Sequence, residues 1–212
     1  MGAFAGGKKI STDSLSRAMD IKNPKSWPGS GSSVYNLVNG TAWAISNPGD
    51  ITTTNEYFEW NGGNTGYIDM EDTGEQGNFS LSVWYYNFSS GGDGRHSILR
   101  NFWEVVGTSI QFWSYSFAND YWRSAGSGSV PYDTWTHITT TWDGSVIRHY
   151  INGNLYWTDG SASSGNCQNL YQIGGYSGRR MHGRIAHLTV NNKTLSAAEI
   201  KQNYLTLKSR FQ

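Results

Sequence analysis

Cysteine is nearly absent: Cys167 is the only one in the chain. A lone thiol closes no intrachain disulfide and builds no thiolate metal cluster. A small semi-buried side chain is its expected role. Charge is also scarce. Charged residues make up 15% of the chain, against about 25% in a typical domain. Lys+Arg and Asp+Glu stand at 16 each, for a formal net charge of zero. That balance argues against binding by broad attraction to nucleic acid or an anionic membrane. It also favours association, so an oligomer within an assembly is expected. No apolar run approaches the roughly 18 residues of a membrane helix, so no membrane insertion is expected. The start, MGAFAGGKKIS, has neither the apolar core nor the A-x-A site of a signal peptide. Synthesis in a cytoplasm is the expectation. No G-x-S-x-G and no P-loop occurs.

What the chain does have is aromatic and glycine. It carries Trp 10, Tyr 13 and Gly 26 in 212 residues, a composition suited to short strands and tight turns. Phe79, Leu81, Val83 and Tyr85 alternate along FSLSVWYYNF and share one face of a strand. TWTHITTTW and SVIRHYI flank Asp143-Gly144, a strong hairpin signal, and Asn152-Gly153 marks a second turn. RIAHLTVNN supplies a late strand. One segment leaves this pattern. Ser196 and Glu199 form an S-x-x-E capping box, with Leu195 and Ile200 placed as its hydrophobic staple. Ile200, Tyr204, Leu207 and Phe211 recur at helical spacing. The expected fold is all-β, a two-sheet antiparallel sandwich or jelly roll with a short C-terminal helix. Residues 1–20, aperiodic and Gly-rich at the start, are expected to be an N-terminal arm. Residues 21–212 form the domain.

The stretch YIDMED, residues 67–72, raises an enzymatic question. Asp69 and Glu71 sit two apart, which on a strand puts both carboxylates on one face. Glycosidases use carboxyl pairs in that way. The five histidines are scattered, but His137 and His149 flank the Asp143-Gly144 turn. They are expected to be cross-strand neighbours on the solvent face.

DTWTHITTTWDGSVIRHYINGNLY, residues 133–156, resembles the signature hairpin of laminin-G-like, concanavalin A-like jelly rolls. Trp135, Asp143, Gly144, Tyr150, Asn152 and Gly153 occupy its marked places. IGGYSGRRMHGRIAHLTVNNKTLSAAEI resembles the family's closing strand and helix start. GYIDMEDTGEQGNFSLSVWYY resembles its early strands. MDIKNPKSWPGSGSSVYNLVNG, residues 19–40, is similar to a lead-in common in laminin-G-like proteins of tailed-bacteriophage virions. The resemblance implies a concanavalin A-like jelly roll. It also implies a non-enzymatic virion surface protein, as capsid decoration or a tail or fibre component, with other virion proteins as partners. A carbohydrate-binding module recognising host-surface glycans is the alternative, and a glycoside hydrolase comes third. Laminarinase-type relatives carry E-I-D-x-x-E on one strand. Here Tyr67 stands where the first Glu belongs, and the stretch comes too early in the chain, so no catalytic residue is assigned. Some relatives bind calcium, but no compact D-x-D-x-D-G set occurs. Asp143 and Asn152 are expected as turn residues, and no cofactor is expected.

Sugars stack on aromatic faces, and ten tryptophans exceed what one sandwich core usually hides. Trp103, placed at a strand end, belongs to this surplus. The candidate ligand-binding patch is Trp113, Tyr115, Asn119, Asp120, Trp122, Arg123, Trp157 and Tyr176. Candidate partner-binding residues are Phe4, Lys8 and Lys9 in the arm, and Arg179, Arg180 and Arg184 in GYSGRRMHGR.

Overall fold

The computed structural model describes residues 9–62, 66–71, 77–89, 94–100, 103–113, 122–160, 171–175 and 180–212; for Trp113, Trp122 and Arg123 it describes the backbone alone. Among the described residues, sixteen strands and one α-helix follow in chain order. The early strands are β1 (Leu15–Asp20), β2 (Ser33–Tyr35), β3 (Ala42–Ser46), β4 (Ile51–Thr53), β5 (Phe58–Asn61) and β6 (Tyr67–Asp69). The middle of the chain gives β7 (Phe79–Asn87), β8 (Arg95–Leu99), β9 (Trp103–Val106), β10 (Ser109–Trp113) and β11 (Trp122–Ser124). Then come β12 (Trp135–Trp142), β13 (Ile147–Ile151), β14 (Asn154–Asp159), β15 (Gln172–Gly174) and β16 (His182–Asn191), before helix α1 (Ala197–Leu207).

The strands make two antiparallel sheets packed as a concanavalin A-like jelly-roll sandwich. The first runs β14-β13-β12-β7-β16-β5-β4, and the second β11-β10-β9-β8-β15-β6-β3-β2. The ten residues of β16 serve two neighbours along one edge. Residues 182–185 pair with β5, and residues 187–191 pair with β1. Leu15–Asp20, expected to lie in an arm, is therefore woven into the sheet. A six-residue strand buried at three consecutive positions shows no alternation by which the sequence could announce it.

The alternation read in β7 is real, and its other face is buried as well. Phe79, Leu81, Val83 and Tyr85 face the sandwich core, yet Ser80, Ser82 and Trp84 are also sealed from solvent. The cause is the C-terminal segment. Tyr204 of α1 stacks on Trp84 at 5.8 Å and Phe211 at 4.4 Å. The outer polar groups find partners: Ser82 Oγ and Thr139 Oγ1 lie 2.9 Å apart, and Ser80 Oγ accepts from Leu195 N at 2.8 Å. Buried hydroxyls are tolerated only when so paired.

Both hairpins form as read. Asp143 Oδ1 accepts from the Ser145 and Val146 amides, and Oδ2 from Arg148 at 2.6 Å. Asn152, at φ 50, accepts from His137 N. The Ser196–Glu199 capping box closes reciprocally, and Leu195 and Ile200 pack with Tyr150. Among the described residues no helix is long and apolar enough to cross a membrane.

Candidate functional site

The two carboxylates of YIDMED do not converge on open space. Glu71 accepts from Trp43 Nε1 at 2.5 Å, Asn39 Nδ2 at 3.0 Å and Asn36 Nδ2 at 3.3 Å. The Arg17 guanidinium lies 3.7 Å from it and donates to its backbone carbonyl at 2.9 Å. Burial works against its charge, but these donors outweigh burial and hold the carboxyl below its usual range. Hydrogen bonds to the ionised form lower a pKa, so Glu71 is not held protonated as a general acid must be. Its chemistry is cross-linking: one carboxylate ties β1, the 36–39 turn and β3 together. Asp69 accepts from Gln172 Nε2 at 2.7 Å, and Gln172 in turn accepts from Arg100.

The histidine pair does not exist. Thr140 is the partner of His149, while His137 pairs with Trp84. Residues of opposite parity on β12 point to opposite faces. His137 therefore lies on the outer face against Tyr204, and His149 lies inside, bonded to Thr140 Oγ1 at 2.7 Å. Both are fully buried, and desolvation pushes each imidazole down to about 3. Among the described residues no group of three His, Cys, Asp or Glu side chains is placed to hold a metal ion.

The tryptophan surplus is smaller than the composition suggests. Trp27, Trp43, Trp60, Trp84, Trp103 and Trp142 are all 2% exposed or less. These are six of the eight whose side chains are described. The layer under the C-terminal segment and the wedge of residues 21–34 give the molecule more interior than a bare two-sheet core. Trp103, expected near the surface, is core.

Of the candidate patch, Tyr115, Asn119, Asp120 and Tyr176 lie outside the described residues, as do Phe4, Lys8 and Arg179. So does Cys167. Trp113 and Trp122 are direct register partners at the β10–β11 edge, with Arg123 opposite Phe112. Trp157 sits on β14 of the other sheet, half-buried and stacked on His149 at 5.2 Å. Tyr156 beside it donates to Ser127 O, just past β11, so these two edge strands close one side of the sandwich. The arginines separate. Arg180 is exposed ahead of β16. Arg184 is half-buried, donating to Glu59 at 2.6 Å with its guanidinium over Tyr57, Tyr86 and Phe88 at 4.6–5.0 Å. Lys9 is exposed, and its carbonyl accepts from Gln202 of α1.

Two features were not singled out in the sequence. One is a polar row across the second sheet: Arg100, Gln172 and Asp69 in a hydrogen-bonded chain, then Ser97 opposite buried Glu104, itself opposite Gln111. The other is a concave surface where residues 22–29, Asn55–Tyr57 and Trp135 meet the chain end. Both unite residues far apart in the chain, so no local motif marks them.

The model for the concanavalin A-like lectin/glucanases superfamily matches residues 61–201. The chain belongs to this superfamily. No curated protein matches it significantly. Among solved structures it is similar to Trypanosoma rangeli sialidase in complex with sialic acid, with TM-score 0.69 and 12% identity over 97% of this chain and 35% of that one. It is also similar to the botulinum neurotoxin serotype D ligand binding domain in complex with N-acetylneuraminic acid, with TM-score 0.64 and 14% identity over 91% and 51%. The binding domain of Paraclostridial Mosquitocidal Protein 1 gives TM-score 0.67 and 11% identity over 90% and 52%. The chain thus spans about a third to a half of these structures' length. At such identities the likeness is one of fold.

Proposed function

We propose that this member of the superfamily is a non-enzymatic bacteriophage virion surface protein, a capsid decoration or tail or fibre component. The observation that carries the reading is the lead-in, residues 19–40, with its similarity to virion laminin-G-like proteins. This segment is integral to the domain. Met19, Ile21, Trp27 and Val34 are buried in the main core, and Trp27 meets Phe58 edge-on at 4.9 Å. Asp20 holds Arg210 by two bonds of 2.7 and 2.9 Å, which fixes the chain end. The occupied Glu71 carboxylate supports the non-enzymatic part. Residues 1–8, ahead of the docked Lys9–Ser11 stretch, remain the candidate anchor to other virion proteins.

Mass spectrometry and immunogold labelling of purified particles test this. Stoichiometric protein on the particle surface is expected; absence from intact particles refutes it. Release of reducing sugar from β-glucans by purified protein would overturn the non-enzymatic assignment.

A second reading, glycan binding during host adhesion, is favoured by one observation. The concave surface beside the lead-in presents half-exposed aromatic faces among polar groups. Ligand pockets typically combine those two ingredients.

A further inference from the structure

Two cavities lie next to each other on the lead-in side of the first sheet. The smaller, of about 80 Å³, is lined by Lys22, Glu56, Tyr57, Trp135, Arg210 and Phe211. The larger, of about 230 Å³, is lined by residues that include Lys22, Pro24, Trp27, Pro28 and Asn55. Lys22 walls both, and Asn55 adjoins Glu56, so the two read as compartments of one groove. The smaller exceeds the roughly 15 Å³ that a single water needs, so it has room for water that a ligand displaces.

The aromatic wall is built, not incidental. Trp135 contacts Tyr57 at 6.1 Å, Tyr86 at 5.6 Å and Phe211 at 5.1 Å. Trp135, Tyr57 and Phe211 all keep part of their surface in solvent. The polar wall is equally fixed. Thr54 Oγ1 donates to Tyr57 O at 2.6 Å and accepts from the Glu56 and Tyr57 amides, so the turn is braced before any ligand arrives. Gly29, at φ +94, allows Asn55 to close on the lead-in loop. A Cβ there would meet Asn55 Oδ1 at 3.1 Å. Such preorganisation lowers the entropy lost on binding.

Charge selects the class of ligand. Lys22, Arg210 and Glu56 line the groove, and Asp20, outside the lining, pairs with Arg210, so the charges balance at two of each sign. Arg210 is committed to Asp20 by two short bonds. Lys22 and Glu56 form only a loose pair at 3.9 Å, with side chains 58% and 70% exposed. Such a pair contributes little to stability, so both ends can exchange partners freely. An ammonium and a carboxylate side by side suit neighbouring hydroxyls, one accepting and one donating. A balanced site gives no advantage to a charged ligand.

We propose that this groove binds an uncharged saccharide, with the sugar's C–H face against Trp135 and Tyr57 and its hydroxyls on Lys22, Glu56 and Asn55. The proposal rests on the glycan-binding reading and moves its site away from the β10–β11 edge.

The test titrates the full chain with neutral gluco-, manno-, galacto- and xylo-oligosaccharides of three to six units, and with sialyllactose as the charged comparator. Calorimetry gives the affinity, and the Trp135 indole resonance reports the location. At least one neutral series is expected to bind and shift that resonance. Tyr57→Ala and Glu56→Gln should each weaken binding by about tenfold with unchanged circular dichroism. Trp122→Ala should leave binding intact. Neutral-sugar binding unaffected by Tyr57→Ala and Glu56→Gln overturns the groove while leaving glycan binding standing. Preference for sialyllactose overturns the uncharged class. No sugar bound at millimolar concentration defeats both. Particle binding abolished by Tyr57→Ala without any sugar affinity would make the groove a protein interface, which also refutes the proposal.

Discussion

Acid should destabilise this protein well before its carboxylates protonate. His137, His149 and His187 are buried, and burial pushes them down to about 3, 3 and 4. The charge of His187 adds to the effect at His137, whereas Asp20 partly opposes it at His187. In the unfolded chain a histidine titrates near 6.5. As pH falls below that value the unfolded state takes up protons that the native state refuses. Stability is therefore complete above about pH 6.5 and is lost as pH falls from there toward the native values. At pH 5 each histidine costs about 2 kcal/mol, so the three together cost about 6 kcal/mol. Total stabilities are about 5–15 kcal/mol, which makes the loss visible. Asp143 and Glu199, held down at about 2, and Asp20 and Glu71, held below their usual range, work in the same direction. They act lower, once pH drops below about 4.5. The window from pH 7.5 to 5 belongs to the histidines. Urea unfolding followed by tryptophan fluorescence at pH 7.5, 6 and 5 measures the effect. His149→Gln, which can keep the bond to Thr140, should remove about a third of the pH dependence. A midpoint that stays level between pH 7.5 and 5 would refute the reasoning.

Three further outcomes are expected. Glu71→Ala removes the acceptor shared by Trp43, Asn36 and Asn39 and should cost about 3 kcal/mol in denaturant unfolding; a change below 1 kcal/mol would contradict the cross-linking role. Gly174→Ala must force a Cβ to 2.6 Å from Trp60 Nε1 at φ +100, so a loss of about 2–4 kcal/mol is expected, read as a lowered Tm. Ser196→Ala removes the N-cap of α1 and should cost about 1 kcal/mol, with unfolding of the intact chain as the readout.

Much of the scaffold was legible because its signals are local. Asp143-Gly144 and Asn152-Gly153 need particular backbone angles, and Ser196 with Glu199 closes a helix turn by itself. These place the β12–β13 hairpin, the turn into β14 and the start of α1. β1 was not legible, since its partner β16 lies some 170 residues away. The candidate site was harder still. Arg184 read as a candidate partner contact, and the structure sets it half-buried against three aromatic rings and paired with Glu59.

The sequence alone determined the β-rich class, the two hairpins, the capped helix and the family resemblance, because turns and periodicity are properties of neighbouring residues. It could not determine how the faces are used. Alternation along β7 marks two faces but not what covers them. Only the packing of Tyr204 and Phe211 over Trp84 made the outer face a second interior. That layer buries His137, and the opposite parity of His149 sends it into the main core. The same long-range closure makes Glu71 a cross-link and brings Lys22, Glu56 and Trp135 to one groove. Burial, charge pairing and concavity are set by residues distant in the chain, and only the tertiary structure brings them together.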